Sequence, residues 1–254
     1  PDACATFAAE LDRRFAHRPS LSDALEGELL YALDGVQHTY APNGRFIRTE
    51  FERIAGYDAM TEDWTTAILE PGRTLRPIDN LLWWRFPRRE RDEREAGAMY
   101  KGFIADAKLP RGQRTFDAES LIATMRAVSR EYWRDQKGVL DRSLTVSDQL
   151  DRDLGATRIM LALERYRSNH AEYPATLDTL TPDYLDAIPA DPFAPDGRFI
   201  YRRGRAPSRW AAFDYTLYSV GLDGVDDNLS SIGDHPDPGW DVLFTVRRPS
   251  EWGI

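Results

Sequence analysis

From Ala3 to Ala16 (ACATFAAELDRRFA) and from Ser20 to Val36 (SLSDALEGELLYALDGV), apolar residues recur at the three-to-four-residue spacing of amphipathic helices, punctuated by Pro19 and Gly35. Ser20 or Ser22 is suited to cap the second helix. Glu26 and Glu28 stand towards its positive end, and Leu25, Leu29, Leu30 and Ala32 supply its apolar face. Residues 37–47 read as a loop. The pattern then predicts a helix over 48–70, with Phe51, Ile54, Ala55, Trp64, Ala67, Ile68 and Leu69 as core candidates and Pro71-Gly72 as its stop. An aromatic knot follows at Leu81, Leu82, Trp83, Trp84 and Phe86. Core packing is the expected role of such a knot, and an exposed partner-binding patch is the alternative. Arginines at 85, 88, 89, 91 and 94 alternate with Glu90, Asp92, Glu93 and Glu95, which makes a solvated helix start and no basic patch. Helices are predicted over 91–108 and 117–136. Asp117 opens the second, which carries Leu121, Ile122, Met125, Val128, Tyr132 and Trp133 and is closed by Lys137-Gly138.

The pattern changes after a boundary near 143–146. Ser147 to His170 (SDQLDRDLGATRIMLALERYRSNH) reads as one helix with two apolar stripes: Leu150, Leu154, Thr157 and Leu161 on one, and Ala156, Ile159, Met160, Leu163 and Tyr166 on the other. Tyr173-Pro174 ends it. RFIYRR (198–203), FDYTLYSV (213–220) and DVLFTV (241–246) then read as strands. The fold class predicted is therefore α+β: a mostly helical region, 1–145, packed on a C-terminal unit, 146–254, made of a long helix and a small antiparallel sheet. The helix of 147–170 is expected to take the sheet on one stripe and N-terminal helices on the other.

With 254 residues and 42% hydrophobic content the chain has material for one large or two small domains with a real core. Its net charge of −9 argues against nucleic acid as a partner. Residues 1–145 hold 22 basic and 24 acidic groups (−2), and 146–254 hold 11 and 18 (−7), so the charge sits mostly in the second unit. The lone Cys4 permits no internal disulfide. No apolar run reaches the roughly 18 residues of a membrane span, so any membrane attachment is expected through an anchor upstream of Pro1.

Most of the excess charge lies in YSVGLDGVDDNLSSIGDHPDPGWDVLF (218–244), where Asp223, Asp226, Asp227, Asp234, Asp237 and Asp241 occur without a Lys or Arg. Two carboxylates at 4 Å repel by about 1 kcal/mol even in water. An ordered loop of this kind calls for a counter-ion. Oxygen ligands, turns at Gly221, Gly224, Gly233 and Gly239, no Cys and only His235 nearby favour calcium over zinc. A solvated acidic loop is the alternative for the same composition.

The order LALERYRSNHAEYPATLDTL, IPADPFAPDGRFIYR, FDYTLYSVGLDG and DV, over residues 150–246, resembles the globular part of the major pseudopilin of type II secretion systems. The signals that carry the resemblance are Glu164, Arg165, Tyr166 and Tyr173-Pro174, then Pro189 with Asp191-Pro192-Phe193, then Tyr218 to Gly224. The resemblance implies a calcium-binding last loop, with Asp223 and Asp241 as side-chain ligands and Val220 and Val225 as carbonyl ligands. Asp226 and Asp227 are the next candidates. The spacing is not that of an EF-hand, since Val225 occupies the third position. A pseudopilin starts on an apolar helix that builds the filament, whereas here about 145 charged, helical residues come first, so filament assembly is not implied. What is implied is an extracytoplasmic location, periplasmic or cell-surface, and envelope or secretion proteins as partners.

Catalytic signatures are absent from the sequence. His17, His38, His170 and His235 are scattered without HExxH spacing, and no GxSxG, P-loop or GxGxxG occurs. Asn228-Leu229-Ser230 is a formal sequon of the kind that arises by chance. The function expected is that of a non-catalytic envelope protein with a calcium-stabilised domain, acting in binding or assembly. The alternative is an extracytoplasmic hydrolase with its site in the helical region.

Overall fold

The computed structural model describes residues 2–42, 89–125, 127–204, 214–229 and 241–244. The helix expected over 48–70, the aromatic knot of 81–86, and Asp234 and Asp237 lie outside the described residues. The elements are α1 (Asp2–Phe15), α2 (Leu21–His38), α3 (Arg89–Ala107), α4 (Ala118–Thr124), α5 (Ala127–His170), β1 (Ile200–Arg203), β2 (Tyr215–Ser219) and β3 (Val242–Leu243). Helices with a three-stranded antiparallel sheet make the chain α+β. Among the described residues no helix is long and apolar enough to cross a membrane.

The chain divides into two compact units, residues 19–144 and residues 1–18 together with 145–254. Helix α1 is grouped with residues 145–254. Its ties are visible in side chains: Arg158 Nη2 lies 2.7 Å from Asp12 Oδ1, and Arg18 Nη2 lies 2.6 Å from Asp151 Oδ1.

In the unit of 19–144, Ser20 caps α2. Its hydroxyl accepts the Asp23 N–H at 3.1 Å while the Asp23 carboxylate accepts the Ser20 N–H at 3.1 Å, a reciprocal box that satisfies two free donors of the helix end. The first turns of α3 carry the pairs Arg89–Glu93 (2.8 Å) and Arg91–Glu95 (2.9 Å), so its mixed charges are indeed a solvated helix start. Further along, Ala96, Met99, Tyr100, Phe103 and Ile104 form a buried stripe. They pack with Leu25, Ile122, Trp133, Leu140 and Leu144 into one core.

The helix expected over 117–136 is split by Met125, whose backbone is extended (ψ 165°). The next helix does not stop at Lys137-Gly138 but runs for 44 residues, from Ala127 to His170. A helical Gly costs about 1 kcal/mol relative to Ala, which is too little to end a helix that the Lys137–Asp141 pair (2.6 Å) spans across it. Ala171, in the left-handed region at φ 61°, ends it instead.

In the unit containing the sheet, Ala156, Ile159, Ala162 and Leu163 of α5 are at most 1% exposed and pack on Phe199, Tyr215 and Leu217. This is the stripe the periodicity assigns to the sheet. On the other stripe Leu154 and Leu161 are half-buried and Leu150 is exposed, so that face is less covered than its apolar character predicts. The strand order is β1-β2-β3, with Ile200 opposite Tyr218 and Ser219 opposite Val242. This register brings the start of β3, and with it Asp241, beside the end of β2.

Candidate metal site in the loop after the central strand

β2 is buried along its whole length and runs into Val220, 4% exposed. The chain then turns through Gly221 and Gly224, at φ 72° and 71°, a backbone region open to Gly at little cost. Asp223 Oδ1 accepts the Val225 N–H at 3.0 Å, and both residues are exposed. Asp226 Oδ1 accepts two donors at 2.9 Å, the Tyr218 hydroxyl and the Asn228 N–H. Arg202 Nη2 donates to Asn228 Oδ1 at 2.7 Å and stands 3.8 Å from Asp226 Oδ2. Asn228 and Leu229 both adopt positive φ, 52° and 57°, which turns the Leu229 N–H inward to Asp241 Oδ2 at 2.8 Å.

Asp241 is the unusual member. It is 4% exposed, and its Oδ1 is buried without a hydrogen-bond partner. Burial raises its pKa above the usual carboxylate value; the Leu229 and Asp227 N–H groups oppose the shift, and the neighbouring charges of Asp226 and Asp227 add to it. The Tyr218 hydroxyl is raised as well, by burial first and then by its bond to Asp226. A negative charge on Asp241 is therefore poorly compensated by the protein alone.

Of the residues expected as ligands, the fold brings Asp226, Asp227 and Asp241 within electrostatic reach of one another. Val220 is buried at the head of the loop, whereas Val225 is 53% exposed. Among the described residues no group of three His, Cys, Asp or Glu side chains converges closely enough to hold a metal ion. The donor chemistry, all oxygen with one buried orphan, suits a hard cation.

The sequence reading gave Arg152 no role. It is 8% exposed, donates from Nε to Asp153 Oδ1 at 2.9 Å, and places its guanidinium 5.5 Å from the Phe193 ring centre and 5.7 Å from that of Phe244. A buried arginine on a helix carries no periodicity signal that separates it from its exposed neighbours. No family model matches the chain, and no curated protein and no solved structure matches it either.

Proposed function

We propose that the unit containing the sheet is a calcium-stabilised, pseudopilin-like domain of a non-catalytic bacterial envelope protein that acts in binding or assembly, with secretion as one such setting. The observation that carries this reading is Asp241: a buried carboxylate with an unpartnered oxygen, on which the charges of Asp226 and Asp227 act, at the end of the loop whose sequence resembles the calcium loop of that family. A Ca2+ ion would supply the missing positive charge, held by Asp241 with Asp226, Asp227 or Asp223 and with the carbonyls of Val220 and Val225. Its role is structural, and the extracytoplasmic side is where such an ion is abundant enough for a weak site. A ligand present at 100 times its dissociation constant stabilises the folded state by about 2.7 kcal/mol. Thermal unfolding in calcium and in EDTA tests this directly. The midpoint rises in calcium for the parent and fails to rise for Asp241→Asn; an equal midpoint in both buffers for the parent removes the reading.

A further inference from the structure

The loop after β2 leans on a second piece of chain, the turn at Asp191-Pro192-Phe193. Asp191 is 1% exposed, and its Oδ1 accepts the Phe193 N–H at 3.0 Å, which closes the turn. The turn is pinned from behind, where the Asp191 N–H donates to the Gly197 carbonyl at 3.0 Å. The Ser219 hydroxyl and the Val220 N–H face the same carboxyl and favour its charged form, although burial outweighs them and raises its pKa. Asp191 Oδ2 has no hydrogen-bond partner. Phe193 makes the second contact with the loop, since its carbonyl oxygen lies 3.3 Å from where a Cβ on Gly224 would stand.

The turn is also fixed to α5. The Arg152 guanidinium covers the Phe193 ring, and a Cβ on Gly155 would meet Pro189 at 3.1 Å and Phe199 at 3.4 Å. Helix α5 thus locates the turn, and the turn meets the loop at Gly224 and places the Asp191 carboxyl near Ser219 and Val220. These are the positions where the backbone must be held for Val220 to present its carbonyl and for Asp223 and Asp226 to approach Asp241.

We propose that the Asp191–Phe193 turn is the positioning element of the cation loop, fixing the backbone of residues 219–224 before a cation arrives. The proposal rests on the calcium reading for the identity of the cation, but not for the effect of the turn on the loop. Asp191 is a positioning residue, since it is the neighbour of a ligating backbone and no member of the ligand set.

The test uses the full chain as Asp191→Ala and Asp191→Asn, with exposed Asp178→Ala as a control. Two readouts are taken: calcium affinity by isothermal titration, and amide hydrogen exchange in EDTA. Loss of a residue that orients ligands weakens metal binding by about 10- to 100-fold, and Asp191→Ala is expected to raise the calcium dissociation constant by that factor. In EDTA its amides from Val220 to Val225 exchange faster than in the parent while those of α5 do not. Asp191→Asn, which keeps an oxygen for the Phe193 N–H, falls between the two and carries the test if the Ala variant does not fold. Parent-like affinity together with parent-like exchange overturns the proposal. If the parent binds no calcium, the calcium reading falls and exchange alone decides: selective loosening of 220–225 upholds the turn's role, and unchanged exchange overturns it.

Discussion

The Leu229 N–H donates to Asp241 Oδ2 at 2.8 Å, and the second oxygen of that carboxylate is left buried and unpartnered. The pair fixes the path of the loop and at the same time isolates a charge. A carboxyl whose pKa is raised on folding stabilises the fold most when protonated, and that contribution is lost as pH rises through the folded value. Without a cation, the ionised form of Asp241 therefore works against the fold. Asp241→Asn keeps an acceptor for the Leu229 N–H and removes the charge beside Asp226 and Asp227. Its effect should change sign with the buffer: a midpoint at or above the parent's in EDTA, and below the parent's in calcium. Calorimetric scans of both proteins in both buffers check it, and a variant less stable than the parent in EDTA contradicts the account.

The N-terminal helix should behave as part of the sheet-containing unit. Its half-buried stripe, Cys4, Ala8, Leu11 and Phe15, recurs at helical spacing, and Asp12 meets Arg158. The ion pair is solvent-exposed and worth about 0–1 kcal/mol, so Asp12→Ala is expected to be nearly silent. Removing residues 1–18 takes away four half-buried side chains and should leave a 145–254 fragment with a lower unfolding midpoint than the same fragment with the helix fused to it. Equal midpoints would show that the helix adds nothing to this unit.

The two stripes of α5 should separate cleanly under mutation. Leu163 is fully buried against the sheet, and Leu163→Ala is expected to cost about 2–5 kcal/mol. Leu161 and Leu154 are only half-buried, so each should cost less than Leu163→Ala, by roughly half the burial energy of a Leu. Urea titrations of the three variants compare them on one scale. Equal losses at all three would mean that the second stripe is covered as fully as the first.

What was legible in the sequence follows from the size of the signals. The stripe of Ile159 and Leu163 is a repeated apolar choice, and it packs on Tyr215 and Leu217 of the strand that FDYTLYSV predicts. The helix end that the pattern places at Lys137-Gly138 does not form, because one glycine is a weak stop when no proline follows and the flanking residues favour helix. The break at Met125 carries no Gly or Pro at all and was invisible to pattern. At the acidic loop, composition marks a segment but cannot rank its aspartates. Asp223 and Asp241 read alike in sequence, yet one is exposed and satisfied while the other is buried with an orphan oxygen. That difference is set by the pairing of β2 with β3 and by the Leu229 backbone, both contributed from elsewhere in the chain.

Two helical glycines offer a last test in which propensity and packing oppose one another. Gly138, exposed on α5, has nothing within 4 Å of an added Cβ, so Gly138→Ala gains only the helix propensity, about 0.8–1.0 kcal/mol. Gly102 on α3 differs, because a Cβ there would run into the Phe116 ring. That ring cannot swing away freely. It packs edge-on against Phe103 at 5.3 Å, and Asp106, itself buried, fixes its backbone by accepting the Thr115 N–H at 3.0 Å and the Phe116 N–H at 3.1 Å. Overpacking of this kind costs about 1–3 kcal/mol, which matches or exceeds the propensity gain. Gly102→Ala should therefore be neutral to destabilising while Gly138→Ala stabilises. The double variant Gly102→Ala/Phe116→Leu, which removes the ring, should recover part of any loss relative to Phe116→Leu alone. Chemical denaturation of the four proteins decides it: if Gly102→Ala stabilises as much as Gly138→Ala, the Phe116 ring does not lie over α3 as described.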